Sequence, residues 1–84
     1  MYAVVVSKKV RKKIDDLPIH MKVKVENKIA SLAFDPMPTG AVKLSGFIST
    51  YRIRVGDYRI VYSVDDEIVT VRVEKVAHRK EVYK

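Results

Sequence analysis

Apolar residues recur at every second position along residues 51–62, Tyr-Arg-Ile-Arg-Val-Gly-Asp-Tyr-Arg-Ile-Val-Tyr, on either side of Gly56-Asp57. Strict alternation predicts two strands, and a glycine followed by aspartate suits a two-residue hairpin turn. Such a turn sets Val55 opposite Tyr58, Arg54 opposite Arg59, Ile53 opposite Ile60 and Arg52 opposite Val61. Side chains alternate across a strand, so Tyr51, Ile53, Val55, Tyr58, Ile60 and Tyr62 share one face. Arg52, Arg54 and Arg59 share the other.

The same pattern organises the rest of the chain. Tyr2 to Val6 is apolar and β-branched and reads as a first strand. Ser7 suits a helix cap, and Val10, Ile14 and Leu17 form a helical stripe over Lys8 to about Asp16. Pro18 suits the first turn of a second helix, expected from about Ile19 to Phe34. Its stripe is Met21, Val25, Ile29 and Leu32, with Val23, Ala30 and Ala33 broadening it. Asp35-Pro-Met-Pro-Thr-Gly40 reads as a turn-rich connection. Ala41 to Ser45 reads as a short extended piece anchored by Leu44, with a turn at Gly46. Val64-Asp-Asp-Glu67 predicts a second tight connection, followed by a strand over Ile68 to Val76. With Val64 opposite Glu67, Arg59 faces Arg72, and Val69, Val71 and Val73 extend the apolar face. Arg72 then joins the arginine face, with Glu74 near the edge. The order β-α-α-β-β-β predicts an α+β fold: a helical hairpin packed on one face of a small, mainly antiparallel twisted sheet. Residues 1–84 are expected to form one domain. The partner of the first strand stays open at this level.

Charge sharpens the picture. Seventeen Lys and Arg against ten Asp and Glu leave a net charge of +7 on 84 residues, which points to a polyanionic partner such as nucleic acid or an acidic protein. Cysteine is absent, which rules out disulfides and cysteine-ligated zinc. No apolar stretch approaches the ~20 residues of a membrane span, and the first residues lack a signal-peptide pattern, so the expected compartment is the cytoplasm. Lys8, Lys9, Arg11, Lys12 and Lys13 crowd the first helix. Cations in a first turn oppose the helix dipole, so the cluster is read either as a second electrostatic footprint or as a solubility device, and not as a stabiliser of the helix.

Three guanidiniums on one small sheet face repel each other, since like charges on paired strands are unfavourable. A solvated face is the plain explanation, because water screens such charges. An anion between the arginines explains more, because the planar guanidinium fork matches phosphate oxygens. The tail Ala77-His-Arg-Lys-Glu-Val-Tyr-Lys84 leaves the last strand beside the Arg54/Arg59 turn, which lets His78, Arg79 and Tyr83 reach the arginine face. There is no phosphate-binding Gly-rich loop, paired-carboxylate motif or metal cluster, and no cofactor is expected. His20 reads as a surface residue. The remaining set suits metal-free cleavage of RNA, which carries its own nucleophile in the 2′-hydroxyl. Arg52, Arg54, Arg59 and Arg79 would hold and neutralise the phosphate. Histidine changes charge near neutral pH as a residue type, so His78 is the candidate for proton transfer. Tyr83 would stack on a base or bind the sugar. Arginine stays protonated and cannot serve as a conventional base. The alternatives are a polar strand terminus for His78 and a hydrophobic anchor for Tyr83.

Tyr51-Arg-Ile-Arg-Val-Gly-Asp-Tyr-Arg-Ile-Val-Tyr62, followed by Val76-Ala-His-Arg-Lys-Glu-Val-Tyr83, resembles the RelE group of the RelE/ParE toxin superfamily. The likeness spans nearly the whole chain and includes the basic helical hairpin and Lys43-Leu-Ser-Gly46. It implies a toxin of a toxin–antitoxin pair that enters the ribosomal A site and cuts mRNA without a metal, leaving a 2′,3′-cyclic phosphate. Carried over by position, Arg52, Arg54, Arg59, His78, Arg79 and Tyr83 would form the catalytic site. Some members carry lysines at the positions of Arg52 and Arg54, so the likeness assigns no proton acceptor here. The implied partners are a RelB-like antitoxin, the ribosome and mRNA, with operator DNA as a target of the toxin–antitoxin complex. No membrane partner is implied. A ParE-like gyrase poison and an inactive RNA- or antitoxin-binding module are the competing expectations on the same fold.

Overall fold

The computed structural model describes residues 1–44 and 49–82. The expected turn at Gly46 and the candidate site residue Tyr83 lie outside them. The chain runs β1 (Ala3–Val6), α1 (Lys8–Asp15), α2 (Ile19–Ser31), β2 (Val42–Lys43), β3 (Thr50–Val55), β4 (Tyr58–Asp65), β5 (Thr70–His78) and α3 (Arg79–Val82). The strands form one sheet in the order β1-β5-β4-β3-β2. β1 pairs parallel to β5, and every other pairing is antiparallel. This is the expected α+β architecture, with a two-residue β2 added at one edge and β1 at the other.

Local chemistry explains the helices. The Ser7 hydroxyl accepts a hydrogen bond from the Val10 amide and caps α1. Leu17 closes α1 and Pro18 occupies the N-cap of α2, one position earlier than a first-turn proline. Val10, Ile14, Leu17, Val25, Ile29 and Leu32 are all buried, as their spacing requires. α2 stops at Ser31, three residues before Phe34. The Ser31 hydroxyl donates to the Lys28 carbonyl, and the chain then turns so that Ala33 accepts from the Tyr2 amide. The basic residues of α1 do more for the fold than their helix position suggests. Arg11 donates to Asp15 at 3.1 Å and to Glu26 of α2 at 2.6 Å, Lys22 pairs with the same Asp15, and Lys12 with Asp16. The Arg11–Glu26 and Lys22–Asp15 pairs join α1 to α2, although exposed pairs contribute at most about 1 kcal/mol each.

The helices cover one face of the sheet. Ile53, Val55, Ile60, Tyr62, Val64, Val71, Val73 and Val76 are buried beneath them, with Val4 and Val6 of β1 packed alongside. Tyr62 is fully buried. Its ring stacks on Tyr51 at 5.8 Å, and its hydroxyl donates to the Pro36 carbonyl, which ties the connection after α2 to the core. Burial, helped by the negative charge of Asp35, pushes the Tyr62 phenol up to about 12. Among the described residues, no helix is long and apolar enough to cross a membrane.

The hairpin between β3 and β4 has the expected register, from Arg52 opposite Val61 to Val55 opposite Tyr58. Gly56 adopts φ 59°, a conformation the turn needs and that favours glycine; a Cβ there would also lie 2.8 Å from the flexible Met21 terminal methyl, which would have to move. The second connection differs from expectation. The Asp65 carboxylate accepts from the amides of Glu67 and Ile68, which holds open a longer loop. Val69 sits in that loop at φ 50°, exposed, instead of extending the core face. β5 therefore starts at Thr70, opposite Asp65, and Arg72 faces Ser63 and not Arg59.

Candidate phosphate-binding site

Alternation turns Arg52, Arg54 and Arg59 to the sheet face that the helices leave open. Arg54 and Arg59 are direct cross-strand partners, and Arg52 lies one rung further from the turn, opposite Val61 and Val42. Their environments differ. Arg54 is exposed. Arg52 is half-buried and held by an interaction of its own. Arg59 is 5% exposed, and its Nη1 is buried without a hydrogen-bond partner among the described residues. Leaving a buried donor of a charged group unpaired costs more than an ordinary lost hydrogen bond. A like-charged partner directly across the strand adds to that cost. This is the arrangement expected of a group whose partner arrives from outside the chain.

A register change in β5 separates the other candidates from this trio. Between the Val61–Lys75 and Tyr62–Val73 pairs one extra residue, Glu74, is inserted. A bulge of this kind reverses which residues face the core. Beyond it, Val76 and His78 point to the helix side, while Lys75 and Ala77 point to the open face. His78 is thus set opposite Tyr58, with the two rings edge to face at 5.4 Å, and the structure does not bring it to the arginine face. The sequence places His78 in a tail free to reach the arginines; in the structure β5 continues through His78, and the bulge turns its side chain to the helix side. Arg72 itself lies at the far end of the sheet, in a cavity of about 500 Å³ lined also by Ser49, Ser63 and Asp65.

Arg79 does return to the hairpin. Its amide donates to the Asp57 carbonyl at 2.8 Å, and its Nε lies 3.9 Å from the Asp57 carboxylate. The turn residue Asp57 therefore sets where α3 begins, beside the Arg54–Arg59 rung. Glu81 completes the closure. Its carboxylate accepts from the His78 amide and from Lys13 of α1, and the Lys80 amide donates to His78 Nδ1. The contact with the His78 amide, reinforced by Lys13, holds the Glu81 carboxyl below its usual range.

That direction fixes a pH dependence. A carboxyl with a lowered pKa in the folded chain stabilises it fully above the ordinary value of 4.5, and the contribution is lost as pH falls through the lowered value. Docking of α3 should therefore weaken in acid below about pH 4.5. Hydrogen exchange of the His78 amide is expected to accelerate there, and Glu81→Gln is expected to reproduce the acceleration at pH 7. An amide whose protection is indifferent to both changes would exclude the contact.

Asp57, Glu81 and Glu74 were not singled out for these roles by sequence. Asp57 was visible only as a turn former, and Glu81 sits within the tail motif without a local sign of its reach to Lys13.

Comparison with known proteins identifies the family and the fold. The family model described as "ParE toxin of type II toxin-antitoxin system, parDE" matches residues 4–83. The toxin RelE1 of Methanocaldococcus jannaschii is 33% identical over 88 residues, covering 99% of this chain and 96% of its own. Among solved structures, the archaeal RelE–RelB complex from Pyrococcus horikoshii superposes with a TM-score of 0.83 at 30% identity, covering 93% of this chain and 94% of that one. The isolated Escherichia coli RelE toxin gives 0.81 at 29% identity, covering 99% and 92%. Fold and sequence agree, and this chain belongs to the RelE group of the RelE/ParE superfamily of toxin–antitoxin toxins.

Proposed function

We propose that this chain is a ribosome-dependent endoribonuclease that cuts mRNA in the A site without a metal. The observation that carries the proposal is Arg59, a nearly buried guanidinium whose Nη1 has no hydrogen-bond partner among the described residues, on an arginine-lined sheet face that the helices leave uncovered. A phosphate placed there supplies the missing acceptor and separates the Arg54 and Arg59 charges. In the reaction the 2′-oxygen attacks the adjacent phosphorus, the bond to the 5′-oxygen breaks, and a 2′,3′-cyclic phosphate remains. Arg59, Arg54 and Arg52 oppose the charge that grows on the phosphoryl oxygens, the kind of fixed electrostatic help that is worth most in a site shielded from water. Arg79, fixed to the turn by Asp57, adds a fourth cation at the rim, and Tyr83 stacks on a neighbouring base. His78 faces Tyr58 and the Lys80 amide, which favours it as an organiser of the strand end over a proton carrier.

The relatives solved as RelE–RelB complexes support a cognate RelB-like antitoxin as partner. The match to a ParE description keeps a gyrase poison as the second hypothesis. Primer extension on mRNA from programmed ribosomes, with chelator present, distinguishes the two. The expected result is a new 3′ end inside the A-site codon, lost in the Arg59→Ala/Arg79→Ala double variant. Intact mRNA together with inhibition of gyrase supercoiling would contradict the nuclease.

A further inference from the structure

The strand end that carries His78 is also the start of α3. β5 runs through His78 and α3 begins at Arg79, so His78 flanks the first helical turn. Its side chain and that of Glu81 make a reciprocal pair of bonds there. The Lys80 amide donates to His78 Nδ1 at 3.3 Å, and the His78 amide donates to Glu81 Oε1 at 3.3 Å. A cap side chain that accepts from the first turn, answered by an acidic residue three positions on that accepts from the cap's own amide, is a capping box. Serine or threonine usually supplies the cap. Imidazole can take that place in one form only. An amide N–H only donates, so Nδ1 must carry no proton, and the neutral ring keeps its hydrogen on Nε2.

A helix of four residues does not hold itself, because nucleation costs more than a single turn of hydrogen bonds returns. α3 therefore depends on its cap, on the Lys13–Glu81 pair at 3.4 Å, and on the Arg79 amide bond to the Asp57 carbonyl at 2.8 Å. The last of these sets Arg79 beside the Arg54–Arg59 rung. We propose that His78 is a positioning residue: its neutral imidazole caps α3 and so holds Arg79 at the arginine row, and a proton on Nδ1 opens the cap and loosens Arg79. The consequence for cleavage rests on the nuclease reading above, whereas the cap does not. The surroundings of the ring favour this response. Tyr58 of β4 meets it edge to face at 5.4 Å. Arg79 and Lys80 of α3 add positive charge, and Lys9 and Lys13 of α1 line the adjoining groove. The nearby carboxylates are already engaged, Glu81 by Lys13 and the His78 amide, Asp57 by Arg79. Among the described residues, an imidazolium there meets no uncommitted carboxylate, and it turns an N–H toward the Lys80 amide.

The test follows the Lys80 amide by nitrogen-15 NMR in the full chain at about pH 7.5 and about pH 5.5, a range that spans the charging of histidine as a residue type. Both values lie above the range in which Glu81 titrates. Protection from hydrogen exchange is taken relative to an unstructured peptide at each pH. Wild type is expected to lose about fivefold of its protection on acidification, the size of one lost cap. His78→Ala lacks that protection at both values. His78→Asn offers a side-chain oxygen in place of Nδ1 and does not titrate, so it is protected at both. A-site cleavage should follow the same order. At the higher pH His78→Ala loses the same factor and His78→Asn recovers most of it; at the lower pH His78→Asn exceeds wild type. Protection of Lys80 that is indifferent to pH and to His78→Ala would overturn the cap. Cleavage by His78→Asn as poor as by His78→Ala, with its α3 protected, would overturn the positioning role. A pH-sensitive cap in a chain that cleaves nothing refutes the nuclease and keeps the cap.

Discussion

Arg59→Met is expected to abolish mRNA cleavage and to make the protein more stable. Arg59 is 5% exposed, with a buried Nη1 that has no hydrogen-bond partner among the described residues and with Arg54 directly across the strand. Methionine keeps the length of the stem and removes the charge. Replacing a buried, imperfectly satisfied charge by an apolar group of similar volume is neutral or stabilising, by about 1–3 kcal/mol. In a domain of this size that corresponds to a rise in melting temperature of about 4–8 °C per kcal/mol. Removing one preorganised donor from a developing oxyanion typically lowers turnover by about 10²–10³-fold. The two effects run in opposite directions, and the combination is the signature of a residue kept for chemistry. Thermal unfolding and A-site cleavage on the same preparation measure both. A loss of stability in Arg59→Met would mean that the guanidinium serves the fold.

Ile60→Ala is expected to have the largest effect on folding. Ile60 lies in β4, opposite Ile53 and Val76, and is fully buried. Its truncation removes three carbons from the centre of the sheet and leaves a cavity, at a cost of about 2–5 kcal/mol. A domain of this length holds about 4–12 kcal/mol in total, so a substantial unfolded fraction at 37 °C is expected. Urea unfolding should show a lower midpoint with an unchanged slope. A cost under about 1 kcal/mol would indicate that the helical layer does not rest on this position. Because Ile60 follows Arg59 along β4, activity should fall with the folded fraction and no further.

What the sequence made legible follows the range of the interactions involved. The β3–β4 register was readable because a two-residue turn at Gly56-Asp57 leaves no freedom to slip. The helical stripes were readable because burial and helical period agree at Val10, Ile14, Val25 and Ile29. The second connection was not. Its length depends on the Asp65 carboxylate capturing two amides and on Val69 accepting a positive φ, and neither leaves a periodic trace. The bulge at Glu74 was also silent, since Val71, Val73 and Val76 are apolar with or without it. The longer loop at Asp65 moves Arg72 away from Arg59, and the bulge turns His78 to the helix side. The parallel pairing of β1 with β5 joins residues more than sixty positions apart and had no local signal. For the site, the arginine trio was visible as a sequence pattern, whereas the burial of Arg59 and the anchoring of Arg79 by Asp57 required the fold.

The most direct test observes the guanidinium groups themselves. Nitrogen-15 NMR of the arginine side chains, titrated with a short RNA made uncleavable by a 2′-deoxy sugar, reports which of them meet phosphate. The expected result is a shift and slowed hydrogen exchange at Arg59, with smaller changes at Arg54 and Arg52 and none at Arg11, which is engaged by Asp15 and Glu26. Changes confined to the helix-side lysines and Arg11, with Arg59 unmoved, would contradict the claim that the open sheet face receives the RNA.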